Sequence, residues 1–178
     1  MKCPKARGFT LVESVVAMVI MGIAMVTIAS FLLPQVLRSA DPYYQIRALD
    51  LGQSVMSKML ARGFADNSDF NGGNWRCGDD NTLCSTPLGP DGESAPQQFN
   101  DVDDYIGCWV PTGSAQCGDL NILADDTSGE TYRNFRLDIA VSNDNSDGFA
   151  PQTMKKIELS ITIPNQSPVE LQAWRGNY

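Results

Sequence analysis

The chain has 178 residues, with 13 Lys and Arg against 21 Asp and Glu, no His, and a formal charge of −8. That length suits one compact domain plus one long accessory element. An acidic chain without a basic patch interleaved with aromatics repels phosphate backbones, which excludes nucleic acid as a partner. The absence of His removes the commonest general base and the usual Ser–His and Cys–His pairings.

The N-terminus begins with a short basic stretch, Met1 to Gly8, carrying Lys2, Lys5 and Arg7. Phe9-Thr10-Leu11-Val12-Glu13 follows, and then no charged residue occurs from Ser14 to Leu37. At about 1.5 Å rise per residue, a helix of that length covers the roughly 30 Å hydrocarbon core of a bilayer. An ordinary secretory signal would place small residues and its cut after the apolar stretch, with no carboxylate inside it. Here Gly8 stands before the stretch and Glu13 lies within it.

Glu13 is the informative residue. A carboxylate held deep in lipid costs about 2.5–3.5 kcal/mol, so a residue kept there implies a partner. A cut after Gly8 would create an α-amino group on Phe9, largely cationic at neutral pH. In a packed array of such helices, Glu13 of one subunit would neutralise the Phe9 amine of its neighbour. The pair would set axial register, because any slip leaves two charges buried alone. Snorkelling of Glu13 to the headgroups is the plainer alternative.

Gly8-Phe9-Thr10-Leu11-Val12-Glu13 resembles the leader signal of type IV prepilins and pseudopilins. The resemblance implies cleavage between Gly8 and Phe9 by a membrane-bound prepilin peptidase, N-methylation of Phe9, and the register role for Glu13. The helix-softening glycine of that family is matched by Gly22. Its mid-helix proline falls later here, at Pro34, so the same local melting is not carried over. The expected layout is a leader over 1–8, a hydrophobic transmembrane and assembly helix over 9–38, an amphipathic helix over 39–65, and a periplasmic or extracellular domain over 66–178.

After the membrane segment, Asp41-Pro42 reads as an N-cap followed by Pro at the first helical position. Ile46, Leu49, Met56, Met59 and Leu60 then predict an apolar stripe on a helix running to about Arg62, with Gly63 as its stop. Three segments near the C-terminus alternate apolar and polar residues: Phe135 to Val141, Ile157 to Ile163, and Val169 to Ala173. They predict an antiparallel sheet with one buried face, connected by turns at 143–148 and 164–168. The fold class is therefore α+β: a long N-terminal helix whose amphipathic half packs on a C-terminal antiparallel sheet. That is also the pilin fold the resemblance implies.

Between helix and sheet, about 66–130, lies a loop-rich insertion with Cys77, Cys84, Cys108 and Cys117. With Cys3 removed in the leader, four cysteines in an exported domain predict two disulfides and an oxidising compartment. Three connectivities exist. Cys77–Cys84 and Cys108–Cys117 are favoured because each closes a short Gly-rich loop, contributing about 2.5 kcal/mol in the chain-entropy picture. Neither pair has the spacing of a zinc knuckle. Trp75 and Trp109 are expected to pack against these bridges, with surface binding as the alternative.

No other chemistry is specified. There is no nucleophile elbow, no phosphate-cradling loop and no Cys-x-x-Cys, so no enzyme, cofactor or metal is expected. Asn143, Asn145, Asp147 and Gly148 resemble the start of a calcium loop, but Met154 occupies the position of the bidentate Glu, so a hairpin loop is the reading. Asp101, Asp103 and Asp104 read as a solvated turn or helix start. Two stretches, Phe99 to Tyr105 and Ala173 to Tyr178, resemble minor pilins of the mannose-sensitive haemagglutinin (MSHA) pilus. That likeness implies a minor pilin in pilus assembly and surface attachment. Its partners would be other pilin subunits, prepilin peptidase and, before assembly, inner-membrane lipid. A type II secretion pseudopilin and a tip-located ligand-binding pilin are the alternatives.

Overall fold

The computed structural model describes residues 8, 10–38, 41–68, 76–78, 84, 87–144, 153–164 and 166–177. The chain divides into two compact units, Met1–Tyr43 and Tyr44–Tyr178. In the first, helix α1 spans Leu11–Arg38 and passes through Gly22 and Pro34 without a break in its assignment. Helix α2, Asp41–Leu60, begins at the predicted Asp41-Pro42 signal and carries Lys58 in its last turn.

The second unit is α2 laid on a five-stranded sheet. The strands are β1 (Gly107–Val110), β2 (Gly118–Asp119), β3 (Arg136–Asn143), β4 (Met154–Thr162) and β5 (Val169–Gly176), ordered β2-β1-β3-β4-β5. The last three are the predicted ones. They pair antiparallel in the register Leu137↔Ile161, Ile139↔Leu159 and Leu159↔Leu171. Leu137, Ile139, Val141, Ile157, Leu159 and Ile161 are all buried, so period-two alternation places one face in the core.

The insertion is more ordered than its loop-rich composition suggested. It adds β1 antiparallel to β3, β2 parallel to β1, and the one-turn helix α3, Leu120–Leu123. Asp119 caps α3 by accepting from Asn121 N–H at 2.8 Å. Strands this short fall below any periodicity window, which is why alternation does not reveal them.

The apolar stripe on α2 differs from the predicted one. Ala48, Leu51, Val55, Met56 and Met59 are buried, whereas Ile46 is 66% and Leu49 is 41% exposed. The phase is set by small residues. A Cβ on Gly52 would lie 2.1 Å from Leu171 Cδ1 and 2.8 Å from Ile161 Cδ1, so the helix backbone approaches β4 and β5 there. A stripe read from bulky residues alone misses the face on which Ala48 and Gly52 permit that approach.

Candidate functional site

At the N-terminus, Glu13 N–H donates to Thr10 Oγ1 at 3.3 Å and Ser14 N–H to Thr10 O at 3.2 Å. Thr10 therefore caps α1 from the position three residues before Glu13, in the Thr-x-x-Glu spacing of a capping box. Glu13 lies in the first turn, where a carboxylate also favours the positive end of the helix dipole. The sequence signal for that local role is the Thr10 to Glu13 spacing.

From Leu11 to Leu33, α1 presents 23 residues of mean hydropathy 2.6, long and apolar enough to cross a membrane. Its hydroxyl groups bond back to the helix. Ser14 Oγ donates to Leu11 O at 2.9 Å, Thr27 Oγ1 to Ala24 O at 2.8 Å, and Ser30 Oγ to Thr27 O at 2.9 Å. Polar groups satisfied within the segment are what an apolar surrounding requires. Gly8 is exposed, and a Cβ there would meet nothing within 4 Å. Phe9 and Cys3 lie outside the described residues, as do the basic residues of the leader.

In the globular unit, Cys77 is bonded to Cys84 and Cys108 to Cys117. The second bridge joins β1 to the residue before β2 and so holds the two strands side by side. Trp109 is only 7% exposed, and a Cβ on Gly118 would lie 2.4 Å from its ring. Its Nε1 donates to Tyr105 O at 3.1 Å. Trp109 is thus a core residue rather than a surface contact, and its ring packs over Gly118; alternation along β1 turns Cys108 to the other face, so the expected packing on the bridge is not what holds it. Trp75 lies outside the described residues. Asn143 and Met154 flank the β3–β4 connection as ends of paired strands, the hairpin expected; residues 145–152 between them lie outside the described residues.

The acidic stretch expected as a solvated turn or helix start is a helix start, but it is buried rather than solvated. Asp101, Asp103 and Asp104 are at most 1% exposed, in and just before a 3-10 turn over Asp103–Tyr105. Their composition misleads because the surrounding groups are donors. Asp101 Oδ1 accepts from Asp103 N–H at 2.9 Å and Asp104 N–H at 3.3 Å. Asp104 Oδ2 accepts from Asn100 N–H at 2.8 Å and Asp101 N–H at 3.1 Å. Asp103 pairs with Lys155, itself 1% exposed, on the inward face of β4. Burial, followed by the neighbouring Asp103 charge, pushes Asp101 up to about 6, and burial also raises Asp104. Lys155 carries no signal in the sequence because the apolar alternation begins only at Ile157, two residues after it, whereas β4 begins at Met154.

Nearby, ligand atoms of Asp66, Asp91 and Glu93 lie within 4.8 Å of one another, and Asn100 Nδ2 donates to Glu93 Oε1 at 3.0 Å. The hydrogen bond with Asp91, ahead of burial, raises Asp66 above its ordinary range. These three could reach one cation, but acidic groups of this kind are common without one, and the arrangement by itself assigns no metal.

A model of the prokaryotic N-terminal methylation motif matches residues 3–29. No curated protein and no solved structure matches the chain. The matched segment spans Gly8, Phe9, Thr10 and Glu13 and most of the apolar part of α1. It indicates a type IV pilin-like prepilin, a coarse class whose members are structural rather than catalytic. An N-terminal apolar helix, an α+β domain and two disulfides agree with that class. The motif implies processing by a prepilin peptidase and assembly with other pilin subunits.

Proposed function

We propose that this protein is a minor type IV pilin of the MSHA kind, cut after Gly8 by prepilin peptidase, methylated on the Phe9 amine, and built into a pilus that supports surface attachment. The observation that carries this reading is the methylation motif over residues 3–29, on a helix whose 23-residue apolar span, Leu11–Leu33, carries one acid in its first turn. Before assembly, α1 anchors the protein in the inner membrane with the domain over 66–178 on the periplasmic side. The finer placement among minor pilins rests on Phe99 to Tyr105 and Ala173 to Tyr178.

In the filament, the Glu13 carboxylate neutralises the Phe9 amine of an adjacent copy, so that register follows from the cost of leaving either charge unpaired in an apolar bundle. The exposed Tyr43, Ile46 and Leu49 on α2 offer further apolar surface for neighbouring subunits. Two measurements test the proposal. The mature protein should begin with methylated Phe9 by N-terminal mass; a chain from cells that still begins at Met1 would defeat it. Glu13→Ala should insert and be cleaved normally yet fall at least tenfold in pilus incorporation, whereas normal incorporation would leave Glu13 only its favourable place in the first turn of α1.

A further inference from the structure

A lysine, two aspartates and an aromatic ring meet in a buried part of the globular unit. Lys155 is 1%, Asp103 0% and Asp101 1% exposed. Lys155 Nζ donates to Asp103 Oδ1 and to Phe64 O, and sits 4.7 Å from the Phe64 ring centroid. Gly89 N–H points at the other carboxyl oxygen, Asp103 Oδ2, at 3.4 Å. The Asp101 carboxyl is pinned through Oδ1 by the N–H groups of Asp103 and Asp104, and the neighbouring Asp103 carboxyl helps to push its titration upward.

We propose that Lys155 and Asp103 are the two ends of an intramolecular amide cross-link, formed by condensation of the Lys155 amine with the Asp103 carboxyl, with Asp101 as the proton relay. Nothing in the pilin reading requires this bond, and its test is independent of that reading.

The chemistry balances without a co-reactant. The ammonium passes a proton to the carboxylate it touches, leaving an amine beside a carboxylic acid. Nζ attacks Asp103 Cγ, and the N–C bond forms as negative charge moves onto Oδ2, where Gly89 N–H faces it in the manner of an oxyanion donor. Protonated Asp101 gives its proton to the Oδ1 hydroxyl, the C–O bond breaks, and water leaves. The nitrogen returns a proton to Asp101, which ends as it began. One water is lost, and no oxidant, reductant or leaving group beyond it is involved.

Three features favour the reaction, two through its rate and one through its equilibrium. Direct contact of amine and carboxyl supplies the proximity that makes intramolecular steps fast. In bulk water, amine and acid are held back from condensation by ionisation and hydration, and a buried site removes the hydration that stabilises the separate charges. Burial and the adjacent Asp103 also keep Asp101 protonated to about pH 6, the form the relay needs. The bond would join a turn of the insertion to the start of β4, closing a segment of 52 residues. It would tie the disulfide-bearing region to the sheet by a link that reduction cannot open.

The experiment is a tryptic peptide map of the full chain, extracted from membranes in detergent, reduced and alkylated. The cross-link predicts no cleavage after Lys155, and a branched species joining the peptide Cys77 to Arg133 with Leu137 to Lys156, lighter than their sum by one water. A free peptide Leu137 to Lys155 in stoichiometric yield would overturn the proposal. Asp101→Asn should give the unlinked peptides, and full linkage in that variant would remove Asp101 from the reaction. If the variant fails to accumulate, the map of the unaltered protein still decides whether the bond exists.

Discussion

At the residue scale, Asp101, Asp103 and Asp104 are placed where their charge is hardest to keep. Asp101 has a folded value of about 6 against an ordinary 3.8, with burial as the largest cause. Between those values the folded state holds a proton that the unfolded chain has released. The Asp101 contribution to stability is therefore greatest below the ordinary carboxyl range and is lost as pH rises through about 6. Asp104 shifts in the same direction for the same reason. A carboxyl-carbon NMR titration should place the Asp101 midpoint near 6, and a midpoint near 4 would contradict the buried arrangement. Small residues matter as much as charged ones: Gly118 leaves the space Trp109 fills, as Gly52 does for Leu171.

At the element scale, α2 shows how a stripe is phased by contact rather than by bulk. Leu51 is fully buried and Ile46 is 66% exposed, although both are large apolar residues on one helix. Leu51→Ala should cost about 2–5 kcal/mol of unfolding free energy by chemical denaturation, from lost burial plus the cavity left behind. Ile46→Ala should change it by less than about 0.5 kcal/mol, as exposed substitutions do. The reverse order would restore the stripe predicted from Ile46, Leu49, Met56, Met59 and Leu60. Ile46 and Leu49 are apolar for a reason the single chain does not supply, and filament packing is the one proposed above.

At the scale of the whole molecule, the insertion becomes part of the sheet instead of an appendage to it. The Cys108–Cys117 bridge brings β2 alongside β1, and β1 extends the sheet at β3. Replacing both cysteines with Ser should lower stability by about 2.5 kcal/mol, the chain-entropy value for so short a loop, measured by urea unfolding of oxidised protein. The C-terminus is tied to the other bridge, since Asn177 Nδ2 donates to Cys77 O at 2.8 Å. The insertion is thus fastened to the rest of the unit at two places, by β1 and through Asn177.

What the amino acids determined unaided were features written in local patterns. The apolar helix, its acid at Glu13, the helix start at Asp41, and the three alternating strands each depend on spacing along the chain, which a reader of the chain can count. What only the tertiary structure decided were features that depend on which groups meet. The buried Asp101, Asp103 and Lys155 come from segments far apart in sequence, and an Asp-rich stretch looks solvated until its donors are in place. The stripe on α2 and the strands of the insertion follow the same logic: a glycine that admits a leucine, and two strands too short to show a repeated alternation, acquire meaning only against their neighbours.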